Sequence, residues 1–133
     1  METYMLLVVF VAVIIVVMFL KSRALKGVTP MTPESARQHL TSSPMAIIDV
    51  RSPEEYRSGH LKGAQLIPLP ELSTRLAQLE QLKNKDILVY CRSGGRSAVA
   101  CQLLVKSGFT KVNNLSGGTM AWSQSGLPLV TGS

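Results

Sequence analysis

Cys91 stands between an apolar run, Ile87-Leu88-Val89-Tyr90, and a short basic stretch containing two glycines, Arg92-Ser93-Gly94-Gly95-Arg96-Ser97. The run has the composition of a strand covered on both faces, which places Cys91 at its C-terminal end. A free thiol with a pKa of about 8.5 is only about 3% ionised at pH 7, and a downward shift of about two units, roughly 2.7 kcal/mol, makes the nucleophilic thiolate the majority form. The residues after Cys91 suit that shift. Gly94 and Gly95 let the backbone curl so that successive N–H groups converge on an anion. Ala98, Cys101, Leu104 and Val105 recur at helical spacing, so a helix is predicted from near Gly95, its N-terminus contributing at most about 2 kcal/mol. Arg92 and Arg96 are read as supplying the remainder through their charge. Cys91 is thus the candidate nucleophile, and Arg92, Ser93, Gly94, Gly95, Arg96 and Ser97 are the candidate anion cradle.

The elements that must hold this loop alternate between strand and helix. Thr32-Pro33-Glu34 opens a helix predicted to run to about Leu40, with an N-cap threonine and proline at its first position. Met45 to Val50 reads as a buried strand, and Ser52-Pro53-Glu54-Glu55-Tyr56 as a capped helical turn ended by Gly59. Gln65 to Ile67 is a short strand, and Leu72, Leu76 and Leu79 mark an amphipathic helix. Lys111 to Leu115 is a further strand, and Gly117-Gly118 leads into a last helix carrying Trp122, which is expected in the core. This alternation predicts a parallel sheet with helices on both faces, its site at the strands' C-terminal edge, where Asp49 to Arg51 also end.

The N-terminus is of another kind. Tyr4 to Leu20 carries no charge, and as a helix its length of about 25 Å comes within reach of a hydrocarbon core of about 30 Å. A single transmembrane helix over residues 1–20 is predicted, then a juxtamembrane linker over 21–27 and one domain over 28–133. A cleaved signal peptide fits less well, because Glu2 stands where a basic region belongs and no small-residue cleavage site follows. Lys21, Arg23 and Lys26 against Glu2 predict that the C-terminal domain lies in the cytoplasm, where both cysteines stay reduced. The net charge of +6 is scattered and aromatics are 5% of residues, which argues against nucleic-acid binding.

Three ordered blocks resemble the rhodanese-like sulfurtransferases. Ile48 to Tyr56, with Gly59 to Ala64 and Ile67-Pro68, is similar to the family's first motif. Cys91 to Ser97 is similar to its active loop, and Asn114 to Gly118 with Ala121-Trp122 and Gly126-Leu127-Pro128 to its C-terminal motif. The resemblance implies a three-layer α/β/α single domain around a central parallel sheet. It also implies a Cys91 that accepts a sulfane sulfur as a persulfide from a small sulfur-containing anion such as thiosulfate, or from another persulfide or polysulfide. The sulfur then passes to a thiol or protein-cysteine acceptor, and no metal or organic cofactor is required. Asp49 and Arg51 match a motif near the family's site and are read equally as a structural pair or a substrate contact. His60 falls within a motif and is read as structural, since a preformed thiolate needs no general base. His39 is read as a solvated or capping residue and Cys101 as a packing residue.

Two rivals are weighed. Cell-cycle phosphatases share a cysteine-to-arginine loop, but with five intervening residues, whereas four separate Cys91 from Arg96. A membrane-tethered sulfur-relay or binding module with little turnover of its own is the second. Cys91 and both arginines argue against an inert site.

Overall fold

The computed structural model describes residues 1–24 and 27–132. Helix α1 spans Glu2–Ala24 and contains a stretch, Glu2–Leu20, that is long and apolar enough to cross a membrane, with a mean hydropathy of 3.0 and none of it buried. It continues into the residues read as linker, of which 25 and 26 lie outside the described residues.

Beyond it five strands form one parallel sheet: β1 (Val28–Met31), β2 (Ala46–Asp49), β3 (Gln65–Leu66), β4 (Ile87–Tyr90) and β5 (Val112–Leu115), in the spatial order β1-β5-β4-β2-β3. Strand alternation divides the core in two. Ile48, Ile87 and Val89 face one cluster with Leu72, Ala100, Cys101 and Leu104. Ile47, Leu88 and Tyr90 face the other with Ala36, Leu61 and Trp122. Helices α4 (Leu69–Leu72) and α5 (Gly95–Lys106) therefore cover one face, and α2 (Pro33–Ser42) and α6 (Gly118–Gln124) the other. The expected α/β/α architecture is present.

Local chemistry explains the helix starts. Thr32 accepts the Ser35 N–H at 3.1 Å, with Pro33 at the first helical position. Ser52 and Glu55 form a reciprocal capping box at the start of α3 (Pro53–Ser58). Two features depart from the expectation. β1 carries Pro30, and a proline inside a short apolar run hides a strand; its place at the sheet edge is what tolerates the missing N–H. The leucine stripe is not one amphipathic helix. α4 stops at Leu72, the Thr74 hydroxyl donates to the Glu71 carbonyl at 2.9 Å, and the chain resumes as a 3₁₀ segment over Leu76–Leu82. A side-chain bond of this kind competes with helix propagation. Leu72 and Leu79 are nonetheless both buried, as the stripe requires.

Candidate active site

β4 is buried along its whole length, and Cys91 is the residue after it. Gly94 turns the chain with φ +110°, a left-handed conformation that suits glycine, and α5 begins at Gly95. The turn brings the Gly94 N–H to 3.0 Å from Cys91 Sγ and the Ser97 Oγ to 3.4 Å. From outside, α6 fixes the loop: the free N–H groups of its first turn, Thr119 and Met120, donate to the carbonyls of Cys91 and Arg92 at 3.0 and 3.1 Å. The carbonyls of Cys91 and Arg92 thus face α6 while the Gly94 amide faces the sulfur. That contact is possible because residue 118 is glycine. A Cβ there would overlap the Cys91 carbonyl oxygen and the Arg92 carbonyl group.

Burial pushes the Cys91 thiol up, but the Ser97 hydroxyl and the main-chain N–H groups of Ser97, Gly94 and Ser93 together hold it below its ordinary value. Hydrogen bonding to the anion, rather than two free arginine charges, dominates the lowering. Arg96 is engaged elsewhere: its Nη1 and Nη2 donate to the two carboxylate oxygens of Glu55 at 2.7 and 2.9 Å. The Arg96 bond is the chief cause of a Glu55 carboxyl held down at about 2. Arg92 is exposed and lines a cleft of about 410 Å³ beside the loop, together with Arg51, Glu54, Glu55 and Thr119.

Asp49 and Arg51 form a buried ion pair, Nη2 to Oδ2 at 2.7 Å, and Arg51 also donates to the Gly59 carbonyl at 2.6 Å. Their contacts brace the β2 end against the α3–β3 connection. The His60 ring stacks on Tyr56 at 3.7 Å and its Nδ1 lies 2.7 Å from the Tyr56 carbonyl, a structural setting. Cys101 is a free, fully buried thiol that burial pushes up to about 12, a packing residue. Trp122 is buried and donates to the Pro128 carbonyl at 2.9 Å. His39 is half-exposed, its Nε2 4.0 Å from an Asp86 carboxylate oxygen.

All six residues of the expected cradle lie on the turn or the first turn of α5, with Ser97 buried and Arg92, Ser93 and Gly95 exposed. The sequence reading assigned no role to Glu55, Asn114 or Gly118. Asn114 accepts the Ser97 hydroxyl at 2.7 Å. The local signal at Glu55, three residues after the N-cap Ser52, points only to the capping box that the structure shows and gives no hint of Arg96.

A family model of the Rhodanese-like domain matches residues 32–125. A sulfurtransferase of Allochromatium vinosum is 36% identical over 104 residues, which cover 77% of this chain and 95% of that one. Thiosulfate sulfurtransferase 18 of Arabidopsis thaliana is 35% identical, over 73% of this chain and 80% of that one. Some other relatives are longer, and the chain spans 26% to 59% of them. Among solved structures, a rhodanese-like domain protein from Staphylococcus aureus superposes with a TM-score of 0.69 at 32% identity, covering 79% of this chain and 99% of that one.

Proposed function

Because the chain belongs to the rhodanese-like domain family, whose relatives include sulfurtransferases, we propose that it moves a sulfane sulfur through a persulfide on Cys91. The observation that carries this reading is the Gly94 N–H aimed at Cys91 Sγ from 3.0 Å, at the start of α5. It supports an anionic sulfur in the resting site and, one bond further out, a terminal persulfide anion. With thiosulfate as donor, the Cys91 thiolate attacks the outer sulfur. A Cys91 S–S bond forms, the bond to the sulfonate sulfur breaks, and sulfite leaves with the electron pair. A thiolate acceptor, from a small thiol or a protein cysteine, then attacks the terminal sulfur, taking it as a new persulfide and releasing the Cys91 thiolate. Arg92, exposed at the cleft, is the side chain placed to meet the donor's oxygens.

In this reading α1 anchors the domain to a membrane, with the basic residues Lys21, Arg23 and Lys26 on the cytoplasmic side. The phosphatase reading has less support still, since Arg96, the nearest equivalent of a phosphate-binding arginine, already bonds Glu55 through both Nη atoms.

Incubating the reduced protein with thiosulfate, polysulfide or a small-thiol persulfide should add the mass of one sulfur atom to the peptide bearing Cys91. Cys91→Ser should abolish the gain and Cys101→Ala should retain it. Absence of the adduct with every donor, or equal loss in both variants, would overturn the proposal.

A further inference from the structure

The Ser97 hydroxyl has one proton and three acceptors around it: the Asn114 Oδ1 at 2.7 Å, the Gly94 carbonyl at 3.1 Å and Cys91 Sγ at 3.4 Å. While Cys91 is a thiol, the chain of donors runs outward. The S–H donates to Ser97 Oγ, and the Ser97 O–H donates to Asn114 Oδ1. Ionisation removes the first donor and leaves Ser97 Oγ facing a negative sulfur. The favourable arrangement then runs the other way, with the Ser97 O–H turned to Sγ. Ser97 Oγ has lost the S–H that donated to it and needs another donor, at the place where the Asn114 Oδ1 acceptor stands. A carboxamide can meet both demands, because a half-turn about its last bond puts Nδ2 where Oδ1 had been.

Two neighbours on β5 show that position 114 is free to do this. The Asn113 Nδ2 is tied to the Ile87 carbonyl at 3.1 Å and the Asp86 carboxylate at 3.4 Å, which fix its orientation. Among the described residues, the Asn114 amide makes the single hydrogen bond to Ser97. Its partner alone selects which end of the amide faces inward.

We propose that Asn114 is a positioning residue acting through Ser97: its side-chain amide reverses when Cys91 ionises, so that Nδ2 donates to Ser97 Oγ and the Ser97 hydroxyl donates to the sulfur. The thiol proton itself leaves to solvent, and no residue is required to accept it. A hydrogen bond to an ionised acceptor is stronger than its neutral counterpart, so losing the amide costs the thiolate more than the thiol. This role rests on the sulfur-transfer reading only in giving the thiolate a use; the titration itself does not depend on it. The other titratable or charged groups on the elements packed around the loop are Arg92 on the turn, Arg96 and Cys101 on α5, Glu54 and Glu55 on α3, Asp49 at the end of β2 with Arg51 after it, and Glu71 on α4. Substitution at 114 leaves all of them in place.

The test is a cycle of Asn114→Leu, Ser97→Ala and the double variant in the full chain, read as the rate of Cys91 alkylation by iodoacetamide against pH. Asn114→Leu should raise the midpoint by about half a unit, slowing alkylation at pH 7 about threefold, and should change nothing further once Ser97 is alanine. Asn114→Ala gives the same reading should leucine disturb the sheet. A shift of equal size in both backgrounds, or none in either, would overturn the role of Asn114. The wild-type persulfide assay separately decides the sulfur-transfer reading, so the two failures are distinguishable.

Discussion

Arg96 and Glu55, 41 residues apart in the chain, share two hydrogen bonds of 2.7 and 2.9 Å that join the start of α5 to α3. The loop's second arginine is therefore charge-compensated before any substrate arrives. Asp49 compensates Arg51 in the same way. Of the basic groups at the cleft, Arg92 is left to attract an anion.

Removing the carboxylate should uncover Arg96. In Glu55→Gln the guanidinium keeps a hydrogen-bonding neighbour but loses its counter-charge, so the Cys91 pKa should fall and alkylation at pH 7 should rise about two- to threefold. The KM for thiosulfate, a dianion, should fall as well. Arg96→Ala should do the reverse, since it leaves the Glu55 charge near the sulfur. Unchanged alkylation profiles in both variants would mean that the pair only fastens α3 to the loop.

The same pair sets an acid limb of stability. A carboxyl whose folded pKa lies at about 2 instead of 4.5 contributes stability that is complete above pH 4.5 and is lost as pH falls from 4.5 towards 2. Denaturant midpoints of wild type and Glu55→Gln should therefore converge through that window. Because the Arg96 side chain is 41% exposed, added salt should narrow the difference at pH 7. A gap between the two proteins that stays constant from pH 6 to 2.5 would contradict this account.

Gly118→Ala should be far more damaging than its single methyl suggests. The new Cβ meets the carbonyls of Cys91 and Arg92, and the residue sits at φ +57°. Strain of about 1–3 kcal/mol is expected from the backbone alone. Displacing the loop by about 1 Å can cost about a hundredfold in turnover. Sulfur-transfer rate and thermal midpoint measured on one preparation test this, and near-normal turnover would show that the α6 contact does not set the loop.

Fractionation tests the anchor. The full chain should sediment with membranes, and deletion of residues 1–20 should release a domain that still takes up sulfur. A reporter fused after Ser133 should lie on the cytoplasmic side; recovery of a processed form beginning near Ala24 would instead identify a cleaved leader.

What could be read before the fold was known was whatever is encoded by neighbours in sequence. β4, the glycine turn and α5 are contiguous, and their pattern of apolar run, glycines and helical spacing places Cys91 at the strand end. Caps at Thr32 and Ser52 are visible for the same reason. What escaped depends on contacts made through space. Glu55 finds Arg96, and Ser97 finds Asn114, across connections that carry no local signal. The lowered thiol was anticipated from the helix N-terminus, with the charge of both arginines supplying the remainder, because nothing in the local pattern reveals that one arginine is already occupied. β1 escaped because the sheet edge, a tertiary circumstance, is what makes Pro30 acceptable there.

The contacts of α6 with the loop also set a schedule. During synthesis Cys91 is made before Thr119 and Met120, whose amides hold its carbonyl and that of Arg92. β4 likewise waits for β5, its neighbour on one side. Until α6 has been translated and has docked, the loop lacks the two hydrogen bonds that hold the carbonyls of Cys91 and Arg92. The loop's final geometry thus depends on residues made after it, so the sulfur's surroundings are complete only once the last helix is in place.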